Sequence, residues 1–469
     1  MAQDIARSGG FARVRGQVYA RAAMAERARI RRIQVTNLFG IFNHEIRLNL
    51  DERITILHGP NGYGKTIVLQ MLDWLFRKQW ERLRSIPFDE FVVELGDGGV
   101  IQVRQESKTA NVGKRKVPKT SRALAISFVE KLGSPPQSFS YDRSSVMVRD
   151  IPPFLIDARL PFLTRVRHDQ WHDSRSDETL SLDEISDKYA DLISVDSSVR
   201  IKEPDWMKVL RGRISLHLIH TQRLGVIGDR QPAVKKYSDE VVRKIKSLLA
   251  TYASHSQELD SSFLDRLFQQ DKSTLLSIEV LRERLARIEA KRAQLMLLGF
   301  LDPERETHKP PPRFDESKLD VLSVYVHDTE AKLAVFEEMA QKVQLLTDAI
   351  NKRFKYKRMS VSKETGFVFK SVIDDASLPL ASLSSGEQHE LVLFYELLFK
   401  VEPNALVLLD EPEISLHLAW QQQFLGDLVE MVKLSSFDVL VATHSPGIIG
   451  KRWDLTVELK GPDLSDAAQ

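Results

Sequence analysis

Ile54-Thr55-Ile56-Leu57-His58-Gly59-Pro60-Asn61-Gly62-Tyr63-Gly64-Lys65-Thr66 decides how this chain is read. Its first four residues are a short, β-branched apolar run of the kind that forms a buried strand. The remainder fits G-x-x-x-x-G-K-[ST], and a helix-like run to Phe76 follows, which is the context that pattern requires. Glycines let backbone N–H groups turn inward around phosphate oxygens, and the helix N-terminus adds its positive end. Lys65 is expected to reach the β- and γ-phosphates, and the Thr66 hydroxyl to ligate Mg²⁺. Gly59, Asn61, Gly62 and Gly64 complete the candidate loop. The spacing and its context predict a nucleotide-binding loop rather than an ordinary glycine-rich turn.

A second stretch lies far along the chain, from Leu383 to Ser445. It opens Leu383-Ser384-Ser385-Gly386-Glu387-Gln388 and continues through a helix-like segment at 391–400. The apolar run 405–409 ends in Asp410-Glu411, and a second run, 439–442, ends in Thr443-His444-Ser445. Short branched runs bounded by turn residues predict buried parallel strands with functional residues at their carboxyl ends. A carboxylate pair there invites a metal ion and a water molecule. The predicted class is α/β.

Composition bounds the rest. The chain has 469 residues, 42% apolar content and a net charge of +2, which describes an ordinary globular protein of two or three domains. No global basicity marks a nucleic-acid binder, so any such surface must be local. The absence of cysteine excludes disulfides and cysteine metal sites and suits a cytoplasmic location. No apolar run approaches the roughly 18 residues of a membrane span.

Taken in order, residues 1–29 are rich in Arg and Ala and resemble a transit peptide without a secretory apolar core. They are read as a disordered extension, with Met24 an alternative start. Residues 30–37 and 45–50 alternate like a hairpin at a sheet edge. Phe39 and Phe42 near its turn are either core or a base contact. Residues 88–103 hold strands broken by Gly96-Asp97-Gly98-Gly99. Lys108, Lys114, Arg115, Lys116, Lys119 and Arg122 form a basic segment, either a phosphate contact or a solvated hairpin tip. Residues 134–206 read as an insertion of loops and short helices. The strand 214–219 ends near Gln222, which either touches Mg²⁺ and the attacking water or lies in a polar turn.

From 234 the chain turns helical and charged. Leu281, Leu285, Ile288 and Leu295, then Leu322, Val326, Thr329 and Leu333, take heptad steps on either side of Pro310-Pro311-Pro312. That predicts a short antiparallel coiled-coil hairpin, with a two-helix lid as the alternative. The expected organisation is therefore an N-terminal half of an ATPase core at 30–233, the hairpin at 234–354 and a C-terminal half at 355–469.

Phosphate loop, helical hairpin, Leu-Ser-Ser-Gly-Glu, Asp-Glu-Pro and Thr-His-Ser, in that order, resemble the ABC-type ATPase heads of chromosome-maintenance and recombination-repair proteins. Asp410-Glu411-Pro412-Glu413-Ile414-Ser415-Leu416-His417 and Ala442-Thr443-His444-Ser445-Pro446 further resemble bacterial phage-defence ATPases. These are the overcoming-lysogenization-defect nucleases, the Septu and retron-associated ATPases, and the ATPase subunit of the phage anti-restriction-induced system. The resemblance implies an ABC-type P-loop head with mixed sheets, binding ATP and Mg²⁺. In it Ser384 and Gly386 contact the γ-phosphate of ATP held by an opposite subunit, and Asp410 and Gln222 serve the metal. Glu411 is the general base and His444 the switch residue. His417 stands where an aspartate is usual.

The nuclease members carry a metal-dependent domain after the switch histidine, and none is expected in the short segment from His444 to Gln469. The Lys451-Arg452-Trp453-Asp454 ending resembles the anti-restriction-induced subunit. The expected function is thus an ATPase sensor and scaffold controlling a separately encoded effector, with a phage protein as trigger. The alternative is a DNA-binding recombination or repair ATPase. An ATP-sandwiched dimer, or a ring built from such pairs, is the expected assembly, with no membrane partner.

Overall fold

The structure, a computed structural model, describes residues 27–110, 119–131, 133–141, 203–219, 232–269, 276–302 and 318–461, with shorter pieces between 156 and 185. Residues 1–26, residues 111–118 of the basic segment, Gln222, Pro310-Pro311-Pro312 and residues 462–469 lie outside the described residues. The chain forms two compact units. One comprises Met1–Ile219, Glu402–Pro412 and Phe437–Gln469; the other comprises His220–Val401 and Glu413–Ser436.

In the first unit, alternation builds the opening hairpin, β1 (Ile30–Leu38) and β2 (Phe42–Arg47). Phe42, His44 and Ile46 point inward from β2, while Asn43, Glu45 and Arg47 are exposed. The buried strand β3 (Ile54–His58) leads through the phosphate loop into α1 (Lys65–Phe76), and α2 (Trp80–Ser85) follows. Strands β4 (Glu90–Leu95), β5 (Val100–Ala110), β6 (Lys119–Val129) and β7 (Gln137–Tyr141) extend the hairpin into an antiparallel sheet ordered β2-β1-β4-β5-β6-β7. Of the basic segment, Lys108, Lys119 and Arg122 thus lie on the paired strands β5 and β6.

The expected loops and short helices of 134–206 give way, among the described residues, chiefly to strands. A small antiparallel sheet of β8 (Leu163–Arg167), β9 (Gln170–Asp173) and β10 (Glu178–Ser181) covers the fully buried Trp171. Leu163 and Leu180 pack in the same cluster. These strands are short and charged on their outer face, so they carry almost no periodic signal. Helix α3 (Asp205–Arg213) and β11 (Leu216–Ile219) complete this part.

The second unit begins with α4 (Ala233–Ser261), α5 (Phe263–Phe268), α6 (Ile278–Leu297), α7 (Leu319–Ala334) and α8 (Glu337–Arg353). The heptad seam is real: Leu281, Leu285, Ile288 and Leu295 are buried on α6, and Val326, Thr329 and Leu333 on α7. An antiparallel helical hairpin is present, but its arms are not the expected ones. Asp260 accepts from Lys332 at 2.6 Å, Arg266 donates to Asp328 at 2.6 Å, and the Tyr252 and Phe336 rings lie 5.2 Å apart. Sequence numbers rise on one side as they fall on the other, so α4–α5 runs antiparallel to α7–α8.

Helix α6, by contrast, runs parallel to α7. The Leu276 N–H meets Ser323, Arg284 meets Glu330, and Lys291 meets Glu337, all advancing together. A heptad repeat specifies which face is buried and says nothing of helix direction. Just past α6 the chain is pinned against the strand that follows α8: a Cβ on Gly299 would collide with the Val361 carbonyl oxygen. Lys363 there also donates to Asp302 at 2.6 Å.

The unit continues with the antiparallel strands β12 (Lys357–Ser362), β13 (Gly366–Ser371) and β14 (Ser377–Leu378), and then α9 (Ser385–Phe399). The chain next enters the first unit as β15 (Leu406–Asp410), returns as α10 (Leu418–Ser435), and ends in the first unit as β16 (Asp438–Thr443), α11 (Pro446–Ile449) and β17 (Thr456–Glu458). In the second unit Arg353 of α8, Glu390 of α9 and Asp427 of α10 form a buried ionic cluster.

The first unit's central sheet is parallel throughout, in the order β11-β15-β16-β3-β17. Asp410 is in register with Ala442, and Thr443 with His58. The ends of β15, β16 and β3 therefore stand side by side, as the short apolar runs predict. The architecture is α/β with mixed sheets, interrupted in sequence by a helical hairpin. Among the described residues no helix is long and apolar enough to cross a membrane.

Candidate functional site

After β3 the chain turns through Gly62 (φ +86°) and Gly64 (φ +83°), both in the left-handed region that glycine tolerates. Gly64 also fits tightly, since a Cβ there would lie 2.9 Å from Leu38 Cδ2, whereas one on Gly62 would meet nothing within 4 Å. Lys65 is buried, and its ammonium donates to the Gly59 and Pro60 carbonyls at 2.7 and 3.0 Å. The cation is thereby folded onto the loop it is expected to serve. Gly64→Ala should cost about 1–2 kcal/mol of local strain. Nucleotide affinity should weaken roughly tenfold with the fold retained, as equilibrium titration and thermal melting would record.

His44 supports the loop from β2. Its Nε2 lies 2.9 Å from the Tyr63 carbonyl oxygen, and burial pushes the imidazole pKa below its ordinary value. The neutral ring then donates Nε2–H to that carbonyl. The Phe42 ring packs 5.6 Å from His44 and 5.5 Å from Tyr63. Of the two candidate aromatics, Phe42 thus belongs to the core, while Phe39 is 40% exposed. Beyond β17, the Leu459 N–H donates to the His58 carbonyl at 2.9 Å.

Thr66 Oγ donates to Asp410 Oδ1 at 2.9 Å, joining the loop's last residue to the end of β15. A hydroxyl and a carboxylate at that separation fit Mg²⁺, a hard cation that takes one or two protein oxygens and completes its shell with phosphate and water. Among the described residues no group of three or more His, Cys, Asp or Glu is arranged to hold a metal. Glu411, next in the chain, is left-handed (φ +42°), and its N–H donates to the Ala442 carbonyl at 2.8 Å. A non-glycine residue in that region costs about 1–3 kcal/mol and marks a constrained position. Its carboxylate lies 3.5 Å from His444 Nδ1, and both side chains remain partly open to solvent.

Within the first unit the structure thus brings together Gly59, Asn61, Gly62, Gly64, Lys65, Thr66, Asp410, Glu411 and His444 around the adjoining ends of β3, β15 and β16. Ser384 and Gly386 belong to the second unit. There Ser384 caps α9: its hydroxyl accepts the Glu387 N–H, and the Glu387 carboxylate accepts the Ser384 N–H, a capping box. His417 is exposed near the start of α10, its ring 6.2 Å from Trp420. Gln222 lies outside the described residues. The sequence reading missed His44 as loop support; its inward place on an alternating strand was legible, but its carbonyl partner was not.

Residues 232–450 match the family model described as "AAA domain, putative AbiEii toxin, Type IV TA system". That span includes Ser384, Asp410, Glu411 and His444 and excludes Lys65. No curated protein matches the chain. Two solved structures are similar to it. One is the Smc head domain with an extended coiled coil bound to the C-terminal domain of ScpA, from Pyrococcus furiosus: 13% identical, covering 94% of this chain and 98% of that one, with a TM-score of 0.32. The other is the SmcHead bound to the C-winged helix domain of ScpA: 10% identical, covering 94% and 99%, with a TM-score of 0.33.

Proposed function

We propose that the chain binds ATP with Mg²⁺ at the first unit's phosphate loop and hydrolyses it. The observation that carries this reading is the Thr66–Asp410 hydrogen bond beside the buried, loop-bound Lys65. Lys65 and the loop N–H groups hold the β- and γ-phosphates, and Thr66 and Asp410 hold the metal. The metal ion, when bound, neutralises charge developing on the phosphate oxygens. Glu411 accepts a proton from the attacking water, and His444, 3.5 Å away, steadies that carboxylate. Ser384 and Gly386 contact the γ-phosphate held by a second copy, so that two copies share two composite sites.

A mixing experiment tests the shared site. Lys65→Ala and Ser384→Arg subunits should each be inactive alone. A mixed dimer contains one site with both loops intact, so ATPase activity should reappear on mixing. If pull-down demonstrates subunit exchange and activity stays at zero, the composite site is wrong.

On this reading, the ATP state of the pair decides whether a separately encoded effector is held or released. The resemblance of residues 410–417 and 442–446 to defence ATPases supports that role, as does the toxin-system description of the matching family. Co-purification of the chain with its neighbouring gene product, with ATP and with ADP, should show retention in one state only. ATP turnover stimulated by DNA, with no co-purifying effector, would instead replace this role by the repair one.

A further inference from the structure

We propose that Lys357 is a positioning residue for the loop that Ser384 opens, presetting the geometry and the charge of the end offered to phosphate. The inference rests on the reading above that Ser384 completes a second copy's site. Lys357 is the first residue of β12, in register with Ser371 of β13, so its backbone is fixed by a sheet rather than by the loop it serves. Its ammonium donates to two acceptors, the Ser382 carbonyl at 3.1 Å and Glu387 Oε2 at 2.7 Å. These lie on either side of the turn that carries Ser384. The same Oε2 accepts the Ser384 N–H at 2.7 Å, and the Ser384 hydroxyl accepts the Glu387 N–H at 3.3 Å.

Two consequences follow. The Ser384 hydroxyl oxygen is occupied as an acceptor, which leaves its proton for an outward oxygen such as a phosphate. Glu387 creates the opposite difficulty. A carboxylate in the first turn suits the helix dipole but repels a triphosphate brought to that same end. The Lys357 ammonium makes the pair neutral, and both side chains are only 15–20% exposed, so solvent screens the carboxylate incompletely. Lys357 thus reconciles a cap that stabilises α9 with an anion that must approach it.

The test uses the full chain with Lys357→Met, Lys357→Arg, and Lys357→Met combined with Glu387→Gln. ATP turnover is measured alongside equilibrium binding of a fluorescent ATP analogue. Lys357→Met should lower kcat about tenfold to hundredfold, the scale of a lost charge-assisted contact. Nucleotide Kd should stay within about twofold, because the Lys65 loop is intact. Lys357→Arg should restore most of kcat. Adding Glu387→Gln to Lys357→Met should recover at least about threefold, since the unbalanced carboxylate is gone. Unchanged kcat in Lys357→Met overturns the proposal, and so does a double variant no better than the single one. If Lys357→Met does not fold, Lys357→Gln takes its place in the same comparison. Failure of the underlying reading looks different: wild-type protein without turnover, or Lys65→Ala binding nucleotide as wild type does.

Discussion

Glu411→Gln should bind ATP and keep it, with turnover lowered about 10²–10⁴-fold, the range expected when one general base is lost. The substitution preserves shape and the backbone bond to Ala442, so the left-handed turn at 411 and the neighbouring Asp410 stay in place. What disappears is the ability to take a proton from water. Lys65→Ala should fail at the earlier step. Its ammonium is the buried positive charge of the loop, and removing it takes away a charge-assisted hold on the phosphates. Equilibrium titration separates the two variants. Equal loss of ATP binding in both would assign Glu411 to binding rather than to proton transfer.

The second large effect concerns stability. Arg353 is fully buried, paired with Glu390 and with Asp427, its guanidinium 5.0 Å from the centre of the Phe394 ring. Arg353→Met should destabilise the protein by about 3–5 kcal/mol in urea unfolding, because the buried Asp427 loses its counter-charge and Glu390 loses its polar partner. The cluster also makes stability depend on pH. Burial pushes the Glu390 carboxyl up to about 8; Arg353 pulls it down and Asp427 pushes it further up. The folded state therefore holds a proton that the unfolded chain releases near its ordinary value of 4.5. Stability should fall as pH rises from about 4.5 to 8, where the folded form finally loses that proton. Glu390→Gln mimics the protonated group and should flatten this decline. A decline as steep in Glu390→Gln as in the wild type would place its origin elsewhere.

What could be read in advance divides along physical lines. The strand–loop–helix at 54–76 was legible because its chemistry is local: glycines for left-handed turns, a lysine and a threonine at fixed offsets. Asp410, Glu411 and His444 were legible because short apolar runs announce parallel strands, and such strands place function at their ends. The direction of α6 was not, since burial of Leu281, Leu285 and Ile288 is the same whichever way the helix points. Trp171 sat among charged four- and five-residue strands too short to show alternation. Lys357 looked like any strand-end lysine, because the acceptors that give it meaning are 25 and 30 residues away.

The route of the chain through its two units has a mechanical consequence. The piece carrying Asp410 and Glu411, Glu402–Pro412, belongs to the first unit, but the residues before and after it, Val401 and Glu413, belong to the second. It is therefore tethered at both ends, like a string held between two posts. On the downstream side the crossing is the peptide bond from Pro412 to Glu413, next to Glu411. Glu411 itself is held in the left-handed region, at φ +42°, by its N–H bond to the Ala442 carbonyl. The carboxylate proposed above as general base therefore stands one residue from a covalent crossing between the units, at the end of a strand whose first four residues are buried.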